Sequence, residues 1–463
     1  MSGKKRRFEN FNLYDYQGVE AHLSRMAEKG WRLEKTGNTL WTYRQAEPAK
    51  VQYAVTYTHR ASQFDPIPSE EQEALSDLCQ AAGWAFVCDW NQMQIFAAED
   101  PDPVPLETDE ALRLEVIHRT MKKHFFPGNL ILLALALVMV ASSICTAVRR
   151  PLRYFSSNSS MFTTLMFTII VFLVLFSLGS YLSWYRRSEK SIAAGGTCVP
   201  LRSGYRKGSL AALIAVLFLS AGYAFLEISS GRAGYALFFL CYTSLLFLLI
   251  VLVQGTKNLL KHCGVSRGKN MAVTLAVDIL LALLLVGGLS FAAFRFDWFS
   301  GEQHDTYLYQ NESWDTNPVP FHLTISDITG EKFEHIRRDE YPHGSILLNI
   351  HEYRERVLRE SDGQRLNLIY EIREPKTQWL YDLTLKSLLT EKRDRMNDAW
   401  IVTNVWKEED LSDWQADSVY QRYMNGTPVN EWVLCWPGRM VKIIPDEEFS
   451  PEEMSRIGRK LHP

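Results

Sequence analysis

Five long apolar runs break the polar pattern of this chain: Leu130–Ala147, Met161–Trp184, Ser209–Ile228, Ala233–Gln254 and Met271–Phe294. A helix crosses a ~30 Å hydrocarbon core with about 20 residues, and each run is close to or above that length. A buried core helix would account for one such run, but not for five separated by short basic loops. The expected fold class is a multi-pass α-helical membrane protein, with five transmembrane helices flanked by two α+β soluble domains. Its expected parts are a cytoplasmic α+β domain with an internal duplication (1–105), a juxtamembrane helix (106–126), a five-helix transmembrane region (127–294) and an extracytoplasmic α+β domain (295–463).

The duplication lies in the pattern before the first run. One copy reads Met26-Ala27-Glu28-Lys29-Gly30-Trp31-Arg32-Leu33 and then Asn38-Thr39-Leu40-Trp41-Thr42-Tyr43; the other reads Cys79-Gln80-Ala81-Ala82-Gly83-Trp84-Ala85-Phe86 and then Asn91-Gln92-Met93-Gln94-Ile95-Phe96. Gly30 aligns with Gly83, Trp31 with Trp84, Leu33 with Phe86, Asn38 with Asn91, Leu40 with Met93 and Tyr43 with Phe96, without a gap. The pattern predicts a helix ended by a left-handed glycine, which has no Cβ to clash. A strand follows, placing Trp31/Leu33 or Trp84/Phe86 on one face, then a turn near the Asn and a second alternating strand. Val51–Thr58 alternates as a further strand. The unit reads as helix–strand–strand(–strand), repeated in a two-layer sandwich, with the paired tryptophans as core.

Phe8, Phe11, Tyr14, Leu23, the run Met26 to Leu33, Leu40-Trp41, Tyr43 and Tyr53, with the recurrence at Ala82-Gly83-Trp84, carry a family resemblance. The first hundred residues resemble the signature of the domain of unknown function 2812 family. That resemblance implies a bacterial membrane protein, commonest in Gram-positive Firmicutes, with genes often beside PadR-type transcriptional regulators. It implies a regulated or regulatory membrane protein with a possible cytoplasmic protein partner, and no activity, cofactor or catalytic residue.

Between the repeat and the first apolar run, Leu114, Ile117, Met121 and Phe125 recur at helical spacing. Acidic residues lead this segment and basic ones end it, which complements the helix dipole. A helix packed on its own domain is the favoured reading; a mechanical coupler continuing into the first span is the other.

Beyond Phe294, Val319–Ile328, Ile346–Tyr353 and Leu366–Ile372 alternate as strands, and Thr377–Arg395 reads as a helix. Trp400–Trp406 and Val419–Met424 look extended, and Trp432–Ile444 reads as a hairpin turning at Pro437-Gly438. Ser450, Pro451 and Glu453 have the spacing of an N-cap, first-turn proline and capping box. The expectation is one antiparallel sheet with helices on one face.

Charge changes the picture more than bulk composition does. The formal net charge of −3 hides 14 basic against 3 acidic residues in 127–294, between two acidic ends. Neither end has the basic bias of a nucleic-acid binder, so the expected partner is the lipid bilayer, with no direct nucleic-acid binding. Loop charges orient the chain. Lys122, Lys123, Arg186, Arg187, Lys190, Arg202, Arg206, Lys207, Lys257, Lys261, Arg267 and Lys269 fall on one side; Arg149, Arg150, Arg153, Arg232 and Arg295 fall on the other. The richer side is expected to be cytoplasmic, which puts the N-terminus inside and the C-terminal domain outside the cell membrane. The basic start Met1–Arg7 has no apolar segment behind it, so the first span is expected to serve as the insertion signal.

Candidate chemistry is sparse. Asp278 is the ionisable residue well inside a span, where a carboxylate costs about 2.5–3.5 kcal/mol on insertion scales; a hydrogen bond to Thr163, Thr164 or Thr168 is its bland explanation. His335, His343 and His351 recur every eight residues, a spacing that fits no metal motif, and are expected to be solvated. No phosphate loop, zincin motif, nucleophile elbow or paired zinc cysteines is present. No catalytic residue, cofactor or metal is assigned. The leading function class is a sensor or regulator linking an extracytoplasmic domain to a cytoplasmic interaction domain, and the alternative is a transport or export component using Asp278; a structural or assembly membrane protein and an enzyme without a recognisable motif are the other readings.

Overall fold

The computed structural model describes residues 3–463 except 10, 38–39, 58–63, 65–69, 91–92, 101–102, 202–203, 231, 297, 299–304, 391, 397–398 and 410–411. The chain divides into two compact units, one of residues 1–138 with 166–298 and one of 139–165 with 299–463.

The first unit begins with β1 (Lys4–Phe8), α1 (Tyr16–Glu28), β2 (Trp31–Lys35) and β3 (Leu40–Gln45), followed by β4 (Gln52–Tyr57), α2 (Glu70–Ala81), β5 (Ala85–Trp90) and β6 (Met93–Ala98). The strand orders are β1-β3-β2 and β4-β6-β5, all antiparallel. The repeat is therefore βαββ, with the same order in each copy. This corrects the phase read from the sequence: β4 opens the second copy rather than closing the first. β1, Lys-Lys-Arg-Arg-Phe, lacks the apolar alternation that marks a half-buried strand. It pairs as an edge, where charge keeps other chains from adding on.

Both helices end as expected, with Gly30 at φ +77° and Gly83 at φ +88°. Each second strand carries a bulge at the equivalent place, between Leu33 and Lys35 and between Phe86 and Cys88. Phe86 lies on the expected face, paired with Phe96 and 5.7 Å from its ring, but it is 44% exposed where its counterpart Leu33 is 6% exposed. Trp84 is buried and donates to the Val104 carbonyl at 2.8 Å, while Trp31 is only half-buried.

After β6 comes α3 (Glu110–Thr120), which passes through one π-helical turn (Met121–Phe125) into α4 (Phe126–Arg149). In that turn the Phe126 N–H reaches back five residues to the Met121 carbonyl. Leu114, Ile117 and Met121 are buried in the repeat core, so the helix does pack on its own domain, and it also continues unbroken into the first apolar run. Then follow α5 (Pro151–Phe155), α6 (Asn158–Ala193), α7 (Gly204–Ser229), α8 (Ala233–His262) and α9 (Arg267–Arg295). Among the described residues four helices are long and apolar enough to cross a membrane: Glu110–Arg149, Asn158–Ala193, Ala233–His262 and Arg267–Arg295. Within α7, Ile214–Ser229 forms a shorter apolar helix among the described residues. Gly234, at the start of α8, lies so close to the Trp298 carbonyl that a Cβ would overlap it.

The second unit holds a hairpin of β7 (Thr306–Tyr309) and β8 (Glu312–Asp315), then α10 (Ile325–Thr329), β9 (His335–Gly344), β10 (Leu348–Arg359), β11 (Gln364–Pro375), α11 (Gln378–Leu388), β12 (Lys392–Met396), β13 (Ala399–Glu409), β14 (Ser418–Met424), β15 (Thr427–Trp436), β16 (Arg439–Pro445) and α12 (Pro451–Leu461). Eight strands form one antiparallel sheet in the order β12-β13-β14-β15-β16-β11-β10-β9. The hairpin turn at Pro437-Gly438 and the Ser450/Glu453 capping box occur where the sequence placed them. Three expectations need correction. Val319–Ile328 is not a strand, because Thr324 and Asp327 form a capping box that starts α10. Thr377–Arg395 splits into α11 and β12. Helices also cover both faces: Leu434, Trp436 and Val441 cluster with α12, while the opposite-facing Val433, Cys435 and Met440 pack on α11.

Candidate functional site

Within the first unit, the repeat domain is bound to the ends of the apolar helices by an aromatic and polar junction. The α3–α4 helix supplies His118 and Phe125; the end of α6 supplies Tyr181, Trp184 and Tyr185. The His118 ring stacks on Tyr185 at 4.3 Å, and its Nδ1 is 2.7 Å from the Tyr181 hydroxyl. Tyr14, just before α1, packs on Tyr181 and Trp184 with both centroids at 5.1 Å. The Trp184 indole donates to the Val199 carbonyl at 2.8 Å. Large aromatic side chains with one polar tip suit a position between an apolar and a wet region.

Charge is held beside these rings. The Glu110 carboxylate, in the first turn of α3, accepts the Cys198 backbone N–H at 3.0 Å, and Gln17 on α1 donates to the Cys198 carbonyl at 2.8 Å. The loop after α6 is thus clamped between α1 and α3. Arg113 bridges Glu107 at 2.6 Å and Glu110 at 2.8 Å, with its guanidinium 5.0 Å from the Tyr16 ring centroid. Glu20 points into the same region and accepts the Val55 N–H at 2.9 Å. Burial raises its carboxyl to about 7; the Val55 hydrogen bond and the Arg113 charge pull it down, and Glu107 and Glu110 push it up. A second tie joins the repeat domain to the first turn of α9: the fully buried Asn270 donates to the Phe64 carbonyl at 3.1 Å.

Residues 15–127 match the family model described as protein of unknown function (DUF2812). Over this segment the chain is similar to the DUF2812 family. No curated protein and no solved structure matches. The DUF2812 segment runs from Asp15, whose side chain caps α1 by accepting the Gly18 N–H at 3.2 Å, to the first residues of α4, and leaves out β1 and Tyr14. It carries α1, α3 and the rest of the repeat.

The residues singled out in the sequence scatter around this site. Tyr43 and Phe96 are fully buried, but Tyr43 belongs to the core shared with α1, while Phe96 packs with Cys79 and Trp84 beside α2. Gly30 and Gly83 end their helices. Asn38 and Asn91 lie outside the described residues. Asp278 is half-buried in α9 and has no hydrogen-bond or ion-pair partner among the described residues, so the expected threonine partner is not found there. Of the three spaced histidines, His335 is not solvated: it is 9% exposed, stacked on Tyr309 at 3.9 Å and 2.8 Å from the Tyr307 hydroxyl. Among the described residues no group of three His, Cys, Asp or Glu is placed to hold a metal ion.

Sequence reasoning passed over the junction itself. Its signal was present, since Tyr181, Trp184 and Tyr185 crowd the end of one apolar run as interfacial aromatics do. Their partners Tyr14 and His118 are distant in sequence and carry no pattern of their own.

In the second unit, α5 and the start of α6 bind the sheet domain. The Ser345 hydroxyl donates to the Phe155 carbonyl, and the Ile346 N–H donates to the Asn158 side-chain oxygen at 3.0 Å. Leu152 and Phe155 join a cluster with Leu348, Ile350 and Leu380.

Proposed function

We propose that this chain is a five-span membrane regulator in which an extracytoplasmic sheet domain acts, through the helix Glu110–Arg149, on the cytoplasmic DUF2812 repeat domain. The observation that carries the reading is that this helix is held at both ends by folded structure. Its first turns are buried in the repeat core through Leu114, Ile117 and Met121. Its last turn leads directly into α5, which packs on α11. The continuous helix has 40 residues, or about 60 Å at 1.5 Å per residue, enough for a bilayer with a turn or more to spare at each end.

Sidedness is supported by which loops each domain holds. The repeat domain binds the loop after α6 and the first turn of α9, and the sheet domain binds α5 and the first residue of α6. With α7 counted as a span, loops of one parity belong to one domain and loops of the other parity to the other. The basic-loop bias supports the repeat side as the cytoplasmic one.

A rigid element biased from one end must respond at the other. The test is hydrogen exchange on the full chain in lipid nanodiscs, comparing the wild type with the double substitution Asn158→Ala, Ser345→Ala. The reading predicts several-fold faster exchange across Glu110–Met121. Exchange unchanged there, with the α5 amides loosened, would reject coupling through this helix.

A further inference from the structure

The two repeats leave one sheet face without a partner. In the second copy, Met93 and Ile95 of β6 are fully buried in the core shared with α1. The aligned positions of the first copy, Leu40 and Thr42 of β3, lie on a face that no helix covers among the described residues: Leu40 is 56% exposed. Register assigns the rest of this face. Across from Leu40 stands Phe8, 54% exposed; across from Thr42 stand Arg6 and Lys35; across from Arg44 stand Lys4 and Arg32. Lys4 meets Glu34 at 2.6 Å and Arg32 meets Glu99 at 2.5 Å. Arg6, Lys35 and Arg44 are unpaired among the described residues, and all three are exposed or nearly so.

The Thr36 hydroxyl, in the turn leading to Leu40, donates to the Asp89 carbonyl. Burial raises the Asp89 carboxyl, and Lys261 in the last turn of α8 acts against it. Trp41 packs on Trp90 at 5.3 Å. From the Phe8–Leu40 row to the Lys4–Arg44 row is about 14 Å along the strands.

We propose that this open face of β1-β3-β2 rests on the anionic headgroups of the bilayer that the chain itself spans, with Phe8 and Leu40 at the headgroup boundary and Arg6, Lys35 and Arg44 over the phosphates. Exposed apolar side chains beside unpaired cations are the makings of an interfacial surface. The helices hold the face beside a bilayer permanently, so a lipid surface has a local advantage over any soluble polyanion. Screening over about 8–10 Å at physiological salt makes Arg6 and Lys35 count for more than the distant Arg44. The proposal does not depend on coupling through Glu110–Arg149.

The experiment compares amide exchange of the full chain in nanodiscs of phosphatidylcholine alone and in nanodiscs containing phosphatidylglycerol. The expected result is several-fold slower exchange of Lys4–Phe8 with phosphatidylglycerol, lost at high salt. Arg6→Glu with Lys35→Glu should abolish the difference while α1 exchange stays unchanged; Arg44→Glu should reduce it less. Should the reversed pair loosen α1, Arg6→Gln with Lys35→Gln replaces it, with the same expectation. Equal exchange in the two nanodiscs overturns the proposal, and so does a difference that survives the substitutions. Protection of Lys4–Phe8 by duplex DNA in phosphatidylcholine nanodiscs, with none from phosphatidylglycerol, would assign the face to nucleic acid instead.

Discussion

The two βαββ copies share strand order, helix-ending glycines and even the position of a bulge, yet they are buried differently. The central strand of the first, Leu-Trp-Thr-Tyr-Arg-Gln, alternates, and only Trp41 and Tyr43 are buried. The central strand of the second, Met-Gln-Ile-Phe-Ala-Ala, is buried almost throughout, because α1 and α3 cover one face and α2 the other. A strand covered on both faces reads as a continuous apolar run, whereas one open face restores alternation. The duplication thus conserved the backbone plan while the surroundings of each copy set its side chains.

Aligned substitutions should separate the copies. Ile95→Ala removes a fully buried side chain and should cost about 2–5 kcal/mol. Thr42→Ala, at the matching place on the open face, should stay within about 0.5 kcal/mol. Denaturant unfolding of the full chain, followed by repeat-domain fluorescence, checks both, and equal effects would break the comparison. The aligned pair Leu33 and Phe86 gives a smaller contrast: Leu33→Ala should destabilise by roughly 2 kcal/mol or more and the exposed Phe86→Ala by less than about 1 kcal/mol in the same assay.

The glycines sharpen it further. Gly83→Ala meets only the left-handed backbone penalty of roughly 1–2 kcal/mol, since nothing lies within 4 Å of its Cβ position. Gly30→Ala adds a 2.8 Å approach to the Ala46 carbonyl and should lower the melting temperature more. The smallest effect concerns charge. The folded Glu20 carboxyl titrates near 7 and the unfolded one near its ordinary 4.5. Between those values the folded chain keeps a proton that the unfolded chain has lost. Stability from this group is therefore full at low pH, falls as pH rises from about 4.5 to about 7, and stays lower above. Glu20→Gln should flatten that part of the pH–melting profile and raise the melting temperature at pH 8; an unchanged profile would show that Glu20 ionises normally.

How much of this was legible follows from the reach of each signal. The apolar runs, the repeat, the Pro437-Gly438 turn and the Ser450 capping box are local patterns, and the structure contains them. β1 was missed because an edge strand needs no apolar face. Phe86 lies on the face that alternation gives it, against Phe96, but how far a neighbour covers it is set by packing that the pattern does not carry. α10 was read as a strand although Thr324 and Asp327 carry a capping-box spacing, because Phe321, Leu323 and Ile325 alternate ahead of it. The junction of Tyr14, His118, Tyr181 and Trp184 joins three distant segments, and only their packing reveals it.

The central claim is that the two soluble domains face opposite sides of the membrane, joined by Glu110–Arg149. Limited proteolysis of sealed cells, with tags in each domain, tests it most directly. The account predicts that the sheet domain beyond Val319 is cut from outside while the Gly30/Gly83 repeat stays intact until the membrane is opened. If both domains are protected, or both are cut, they share a side and the regulator proposed here cannot work across the bilayer.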